Sequence, residues 1–496
     1  MAISSSEPST HLAVAPEAQA IESGKGHQVT GRDGGKHERR QFITHNAVAA
    51  SGTWLAGILG LLLQALVSHH FKPVVYGEVF AVFSFFTVLT QPAAGFSRLV
   101  AWTTSRELAT THGTSDLESA AMLRTTVIRL TTLGTALGLV FAIGAWPLSL
   151  YLKVPAEYVL LGAVGVPFMF ATSPMLASLQ GEQRWVPWSL LSIGIALSRV
   201  VFVVLFVWVF GSTFGAAGVL LGISLAAAVL YFTALAMVWP RWRRGRAPAS
   251  WRPVWRFLVV SVWSTITVAV LMGSDVVVVQ HFYHGPQAGQ FSAVAVTARS
   301  LFFAMGSVTS VLFPKVAARR ARRRGTRTVV FTSVAIAIVG GLLGLLVFSV
   351  FSQTILHAFS GHAYEAGASY IGWYALGMPL LAAVVMLSNT QQSLADLKLL
   401  WVLIPGMFIK PLLIYFFHST LLVVSLMSDV SIAAVLVALV VHYLLTERGE
   451  RVAAGSPGTP DEPPASGPSG SIVPSPGPPD EPPASGPSGS MIPSPG

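Results

Sequence analysis

Apolar and polar positions alternate along this chain in blocks. Twelve long apolar runs lie at approximately 44–69, 77–101, 125–149, 156–179, 187–210, 215–239, 257–280, 288–313, 328–351, 367–388, 399–417 and 422–445, separated by short polar turns. A helix rises about 1.5 Å per residue, so runs of about twenty residues cross about 30 Å of hydrocarbon. The pattern predicts an all-α polytopic membrane protein with about 12 transmembrane helices. A β-barrel would show alternation in segments of about ten residues instead.

Composition agrees: 53% of residues are hydrophobic and 10% charged, and mean hydropathy is +0.64, which excludes a soluble globular protein. The chain has no cysteine, so disulfides, thiolate metal sites and thiol nucleophiles are excluded. The formal net charge is +10, and its placement gives it meaning. With the N-terminus inside, the tails and cytoplasmic loops hold 24 Lys and Arg residues and the external loops only Lys72 and Lys153. This asymmetry orients the chain in the cytoplasmic membrane with both termini cytoplasmic. The two strongest basic loops, Arg241–Arg256 and Lys315–Arg327, suit anionic lipid heads. A nucleic-acid partner would require a folded basic domain, which the sequence lacks.

The organisation that follows is a polar cytoplasmic tail (1–43), a first six-helix lobe (44–240), a basic linker (241–256), a second six-helix lobe (257–446) and a Pro/Gly/Ser-rich tail (447–496). In the last, an 18-residue unit beginning at Pro460 recurs nineteen residues on at Pro479. Such a composition buries no core and is expected to be disordered.

The lobes carry traces of a common repeat. His70-Phe71, Gly77 and Ala81-Val82 match His281-Phe282, Gly289 and Ala293-Val294 at an offset of 211 to 212 residues, and Arg199 meets Lys410 at the same offset. Six spans per half is an even number, so both halves share one orientation. The two lobes are then related by a pseudo-twofold axis along the membrane normal, around a central cavity.

Five cations fall inside apolar runs: Arg98, Arg129, Arg199, Arg299 and Lys410. Arg98 and Arg129 lie near the cytoplasmic ends of their spans, where snorkelling makes them interfacial anchors. Arg199, Arg299 and Lys410 sit near mid-span and are the candidate substrate-binding residues. An ionisable group at that depth faces a bundle interior or a wet cavity, and surplus positive charge there suits a phosphate or pyrophosphate. The intramembrane carboxylates, Asp275 and Asp429, are candidates for an ion pair or an ion-coupling role. The simplest ion pair joins Asp275 to Arg299. His281 and His284, in an external turn, are expected to be solvated. Gly218 with Gly222, and Gly340 with Gly344, have spacings that let helices approach closely.

The hairpin of the seventh and eighth runs also carries a family resemblance. Asp275 through Phe282, then Ala288-Gly289-Gln290-Phe291-Ser292-Ala293-Val294, Arg299, Phe302-Phe303 and Leu312-Phe313-Pro314-Lys315 resemble the seventh and eighth helices of bacterial lipid-linked polysaccharide flippases. Those belong to the multidrug/oligosaccharidyl-lipid/polysaccharide exporter superfamily. The resemblance implies two six-helix lobes and a cationic lumen through which an undecaprenyl-pyrophosphate-linked oligosaccharide passes. It also implies partners: the polyprenyl-pyrophosphate-linked glycan itself and polysaccharide polymerase machinery.

No Gly-rich loop closing on Lys-Ser or Lys-Thr is present, so this chain's own ATP hydrolysis does not drive transport. The sequence singles out no cofactor motif, metal-ligand set or catalytic group. A flippase working by alternating access is the leading expectation. Two alternatives are a cation-coupled multidrug exporter of the same superfamily and a membrane polysaccharide polymerase or ligase. The longest external connection, about 352–366, has Glu365 as its sole acid, which disfavours the enzyme.

Overall fold

The computed structural model of the chain describes residues 32–109, 115–245, 251, 254–283, 285–321, 327–392 and 396–455. Among these there is helix and no strand. The first half comprises α1 (Arg32–His70), α2 (Pro73–Thr90), α3 (Pro92–Ala109), α4 (Ser115–Ile143), α5 (Ala145–Leu152), α6 (Ala156–Gly181), α7 (Trp185–Val204), α8 (Gly211–Phe214) and α9 (Ala217–Trp242). The second comprises α10 (Trp255–Phe282), α11 (Pro286–Ala321), α12 (Arg327–Val350), α13 (Ser352–Ser360), α14 (Ile371–Gln392), α15 (Leu400–Phe416) and α16 (Leu421–Gly455).

Each predicted run falls on helix, and the interruptions have local causes. The second run breaks between α2 and α3 at Gln91-Pro92, where proline removes a backbone donor. The third breaks at Gly144, between α4 and α5. The fifth continues α7 as a π-helical turn, Leu205–Val209. By length and composition, ten helices among the described residues suffice to cross a membrane, and eleven with α12 and α13 taken as one span bent by 82°. The sequence predicts twelve; the eighth run lies in α11, whose side chains from 304 onward are outside the described residues. Helix also extends beyond the predicted lobe boundaries, over 32–43 and 447–455. An apolar run marks where a membrane is crossed, whereas backbone hydrogen bonding continues past it into polar residues. The Pro-rich repeats lie outside the described residues.

The chain divides at Tyr443. Within 32–443, one packing scheme occurs twice. In the first lobe α1 packs on α7, α4 on α6 and α3 on α6; in the second α10 packs on α15, α12 on α14 and α11 on α14. These are equivalent helices of the two repeats. The lobes meet where α2 packs on α11 and α10. There Gly77 and Gly289, matched in the sequence repeat, touch: a Cβ on Gly77 would stand 2.7 Å from the Gly289 nitrogen. Repeat-related residues in mutual contact lie on the axis that relates the repeats, and only glycine permits so close an approach.

Outward surfaces are apolar. On α12, Ile338, Val339, Leu342, Leu343, Leu346 and Val350 are all exposed, the surface expected of a lipid-facing helix. Gly218 and Gly222 of α9 press on the backbone of Phe206 and Val203, as their spacing predicts. Of the other pair, Gly344 meets the Leu301 side chain, and Gly341, next to Gly340 in sequence but not of the pair, meets the Leu376 carbonyl.

Candidate functional site

Asp275 lies on α10 two turns before its end. A helical side chain leans toward the N-terminus, over the preceding turn, so the Asp275 carboxylate stands beside the carbonyls of Leu271 and Met272. Two cations from neighbouring helices use this combined acceptor. Lys410 of α15 donates to Asp275 Oδ2 at 2.8 Å and to the Leu271 carbonyl at 2.5 Å. Arg299 of α11 donates from Nη2 to the Met272 carbonyl at 2.6 Å and to Asp275 Oδ1 at 3.3 Å. Tyr374 of α14 donates its hydroxyl to Asp275 Oδ2, and the Val276 amide donates to Oδ1 at 2.9 Å. Asp275 and Lys410 are 0% exposed, and the Arg299 side chain is 13% exposed. One carboxylate therefore pairs with two cations inside the second lobe and offsets the charge of only one of them.

The alternative pairing of Asp275 with Arg299 is thus present, and Lys410 joins it. In this arrangement Lys410 offers no surface to a ligand. Asp429 of α16 is buried against Gly377 of α14, close enough to interact electrostatically with Lys410 and Asp275. Apart from the Gly377 backbone beside it, its carboxylate has no hydrogen-bond partner among the described residues, and Arg299 Nε, Ser274 Oγ, Thr297 Oγ1 and Ser428 Oγ have none. Buried polar atoms left open in this way are the partners that water or a bound ion satisfies.

Arg199 is placed differently. On α7 the exposed stripe is Val186, Leu190, Leu197 and Val201, while Ser189, Ala196 and Val203 are buried. At 100° per residue, Arg199 lies on the side of Ala196 and Val203, turned away from the lipid-facing stripe. It is partly buried and makes no hydrogen bond or ion pair among the described residues.

Arg98 donates from Nη1 to Gln392 Oε1, joining α3 of the first lobe to the end of α14 in the second. The adjacent Gln391 donates to the Leu439 carbonyl at 3.0 Å, and its Oε1 lies 2.7 Å from His442 Nδ1. Arg129 stacks over the Trp251 ring at 4.5 Å. Both arginines therefore have intramolecular partners in addition to the interfacial position expected of them. His281 is likewise engaged: its Nδ1 lies 2.8 Å from the Tyr151 carbonyl and its ring stacks on Tyr151. A turn read as solvated is in fact a contact between lobes, because the partner lies 130 residues away. His284 lies outside the described residues. Within the basic linker, Arg241 pairs with Glu182 at 2.5 Å. In the second basic loop, residues 322–326 and all of the side chains lie outside the described residues.

Tyr374 and Gln392 are the functional-site residues the sequence reading missed. Each is a single polar residue within or at the end of an apolar run, a weak signal without knowledge of its partner.

No family profile and no curated protein matches this sequence. Solved structures do match by fold. An inward-facing multidrug resistance MATE family transporter of the MOP superfamily superposes with a TM-score of 0.61 at 15% identity, covering 84% of this chain and 99% of its own. The lipid II flippase MurJ, in an inward closed conformation, gives 0.62 at 14% identity, covering 80% and 87%. The eukaryotic MATE transporter AtDTX14 gives 0.57 at 16%, covering 81% and 95%. The chain therefore has the two-lobed fold of these solved MATE transporters and of the MurJ flippase, the fold that the resemblance of its seventh and eighth helices implies.

Proposed function

We propose that this protein flips a polyprenyl-pyrophosphate-linked oligosaccharide across the cytoplasmic membrane by alternating access, for cell-surface polysaccharide assembly. One observation carries the reading. Of the five cations inside apolar runs, Arg199 alone has no protein partner among the described residues. A buried guanidinium without a partner is costly, and a phosphate supplies the missing anion through paired, charge-assisted hydrogen bonds. Arg199 is the first contact for the pyrophosphate. Arg299 and Lys410 become available only when the anion competes with Asp275 for them. The polyprenyl tail remains in lipid throughout, and rocking of the lobes moves the headgroup. The solved flippase of this fold, named for lipid II, supports a lipid-linked substrate.

A second reading has its own support. Asp429 is a buried carboxylate without a side-chain hydrogen-bond partner among the described residues, the environment of a cation-coupling group, and solved multidrug transporters share the fold. A cation-coupled exporter of organic cations uses these acids rather than Arg199.

The test is flipping of a fluorescent polyprenyl-pyrophosphate sugar in proteoliposomes by wild type and Arg199→Gln. Flipping by the first and its loss in the second is the expected result. Absence of flipping by wild type, together with gradient-driven organic-cation efflux that depends on Asp429, overturns the flippase and establishes the exporter.

A further inference from the structure

On the face that the charge asymmetry places outside, three ligand-type side chains converge. His357 stands in the last turn of α13, and His362 and Glu365 lie in the 3₁₀ helix His362–Ser369 that follows. Gly361 joins them with φ +89°, a left-handed conformation that glycine adopts without strain and that folds the 3₁₀ turn back on α13. In a 3₁₀ helix residues i and i+3 eclipse, which sets His362 beside Glu365, with Nδ1 to Oε1 2.5 Å apart. His357 Nδ1 lies 3.6 Å from the same carboxylate oxygen, and the two imidazole rings are 3.7 Å apart. One ligand atom from each residue fits within 4.8 Å of the others.

We propose that His357, His362 and Glu365 bind a transition-metal ion of the zinc type. Two imidazoles and a carboxylate are a donor set that zinc takes, with the fourth position open. Bonds of about 2.0–2.1 Å to a tetrahedral ion separate neighbouring ligand atoms by about 3.3 Å. The His362–Glu365 contact opens by less than about 1 Å to admit the ion, a movement that surface side chains make freely. A third imidazole borders the site. His69, at the end of α1, lies 2.8 Å from the Ala65 carbonyl through Nδ1, so that nitrogen carries the proton and Nε2 is left as an acceptor, the tautomer metal-ligating histidines adopt. Its Nε2 stands 3.6 Å from where a Cβ of Gly361 would be.

The ion has a mechanical consequence. The same loop is tied to the first lobe: the Tyr364 hydroxyl donates to the Phe71 carbonyl at 2.9 Å, and Ser68 donates to the Phe359 carbonyl at 3.2 Å. An ion that fixes the elbow between α13 and the 3₁₀ helix stiffens one side of this contact between lobes.

The experiment titrates ZnCl₂ into the full chain, purified in detergent with a histidine-free tag and stripped of metal, by calorimetry. One ion per chain is expected. Affinity should fall about tenfold or more in each of His357→Ala, His362→Ala and Glu365→Gln, and remain unchanged in His418→Ala. Zinc should raise the unfolding temperature of wild type and not of the triple variant. X-ray absorption at the zinc edge of the wild-type complex supplies a readout independent of any variant, and an imidazole shell is expected. No binding by wild type, unchanged affinity in the triple variant, or a shell lacking imidazole each overturns the proposal.

Discussion

Lys410 Nζ lies 2.8 Å from Asp275 Oδ2 with both side chains wholly buried, although 135 residues separate them. The pair links α15 to α10, and the same carboxylate holds Arg299 of α11. Desolvating such charges is costly, and their mutual attraction offsets the cost only while every partner stays in place.

Removal of one partner should therefore be far worse than removal of both. Asp275→Asn strands two cations and is expected to destabilise by about 3–5 kcal/mol, more than Lys410→Met alone. The double variant should recover part of the loss. Thermal unfolding in detergent around this double-mutant cycle is the measurement, and strictly additive losses would exclude the coupling.

Arg199→Gln should behave in the opposite way. Its side chain leaves no orphaned protein partner, so stability should change by less than about 1 kcal/mol while transport is lost. Arg199→Lys keeps the charge but not the paired donors and should recover transport only partly. Unfolding temperature and proteoliposome flipping, measured on the same preparations, separate the two effects. Retained flipping in Arg199→Gln would remove the residue from the site.

The glycines on the axis make a sharper stability prediction. A Cβ on Gly289 would collide with the Pro73 carbonyl, and one on Gly77 would stand 2.7 Å from the Gly289 nitrogen. Backbone is met in both cases, so Gly289→Ala and Gly77→Ala should cost about 1–3 kcal/mol or more. Gly60→Ala, with nothing within 4 Å, should be neutral or stabilising by up to about 1 kcal/mol through helix propensity. Equal melting temperatures for all three variants would place the lobe contact elsewhere.

Arg98 and Gln392 form a hydrogen bond between the lobes that opening of this side must break. Arg98→Ala and Gln392→Ala should each shift the population toward longer separations between spin labels at Ser105 and Lys398, read by double electron–electron resonance. Combining them should add little, because either removes the same bond. Opposite shifts in the two single variants would show that the bond is not a latch.

Some of this molecule was determined along the chain and some only across it. Helical spans are local: an apolar run long enough to cross a bilayer has to satisfy its own backbone hydrogen bonds, so the positions of the spans, and the match of Gly77 to Gly289, were readable in order. The placement of Arg199, Arg299, Lys410, Asp275 and Asp429 within helices was readable for the same reason. Their pairing was not. Charge type says that a buried cation needs a partner, but Lys410 found Asp275, and Arg199 found none among the described residues, because of how α15 and α7 are rotated against their neighbours, a matter of side-chain packing between helices distant in sequence. Tyr374, Gln392 and the convergence of His357 with His362 and Glu365 were likewise decided by tertiary structure. A tyrosine, a glutamine or a histidine states its chemistry in the sequence, whereas its partner is set by the fold.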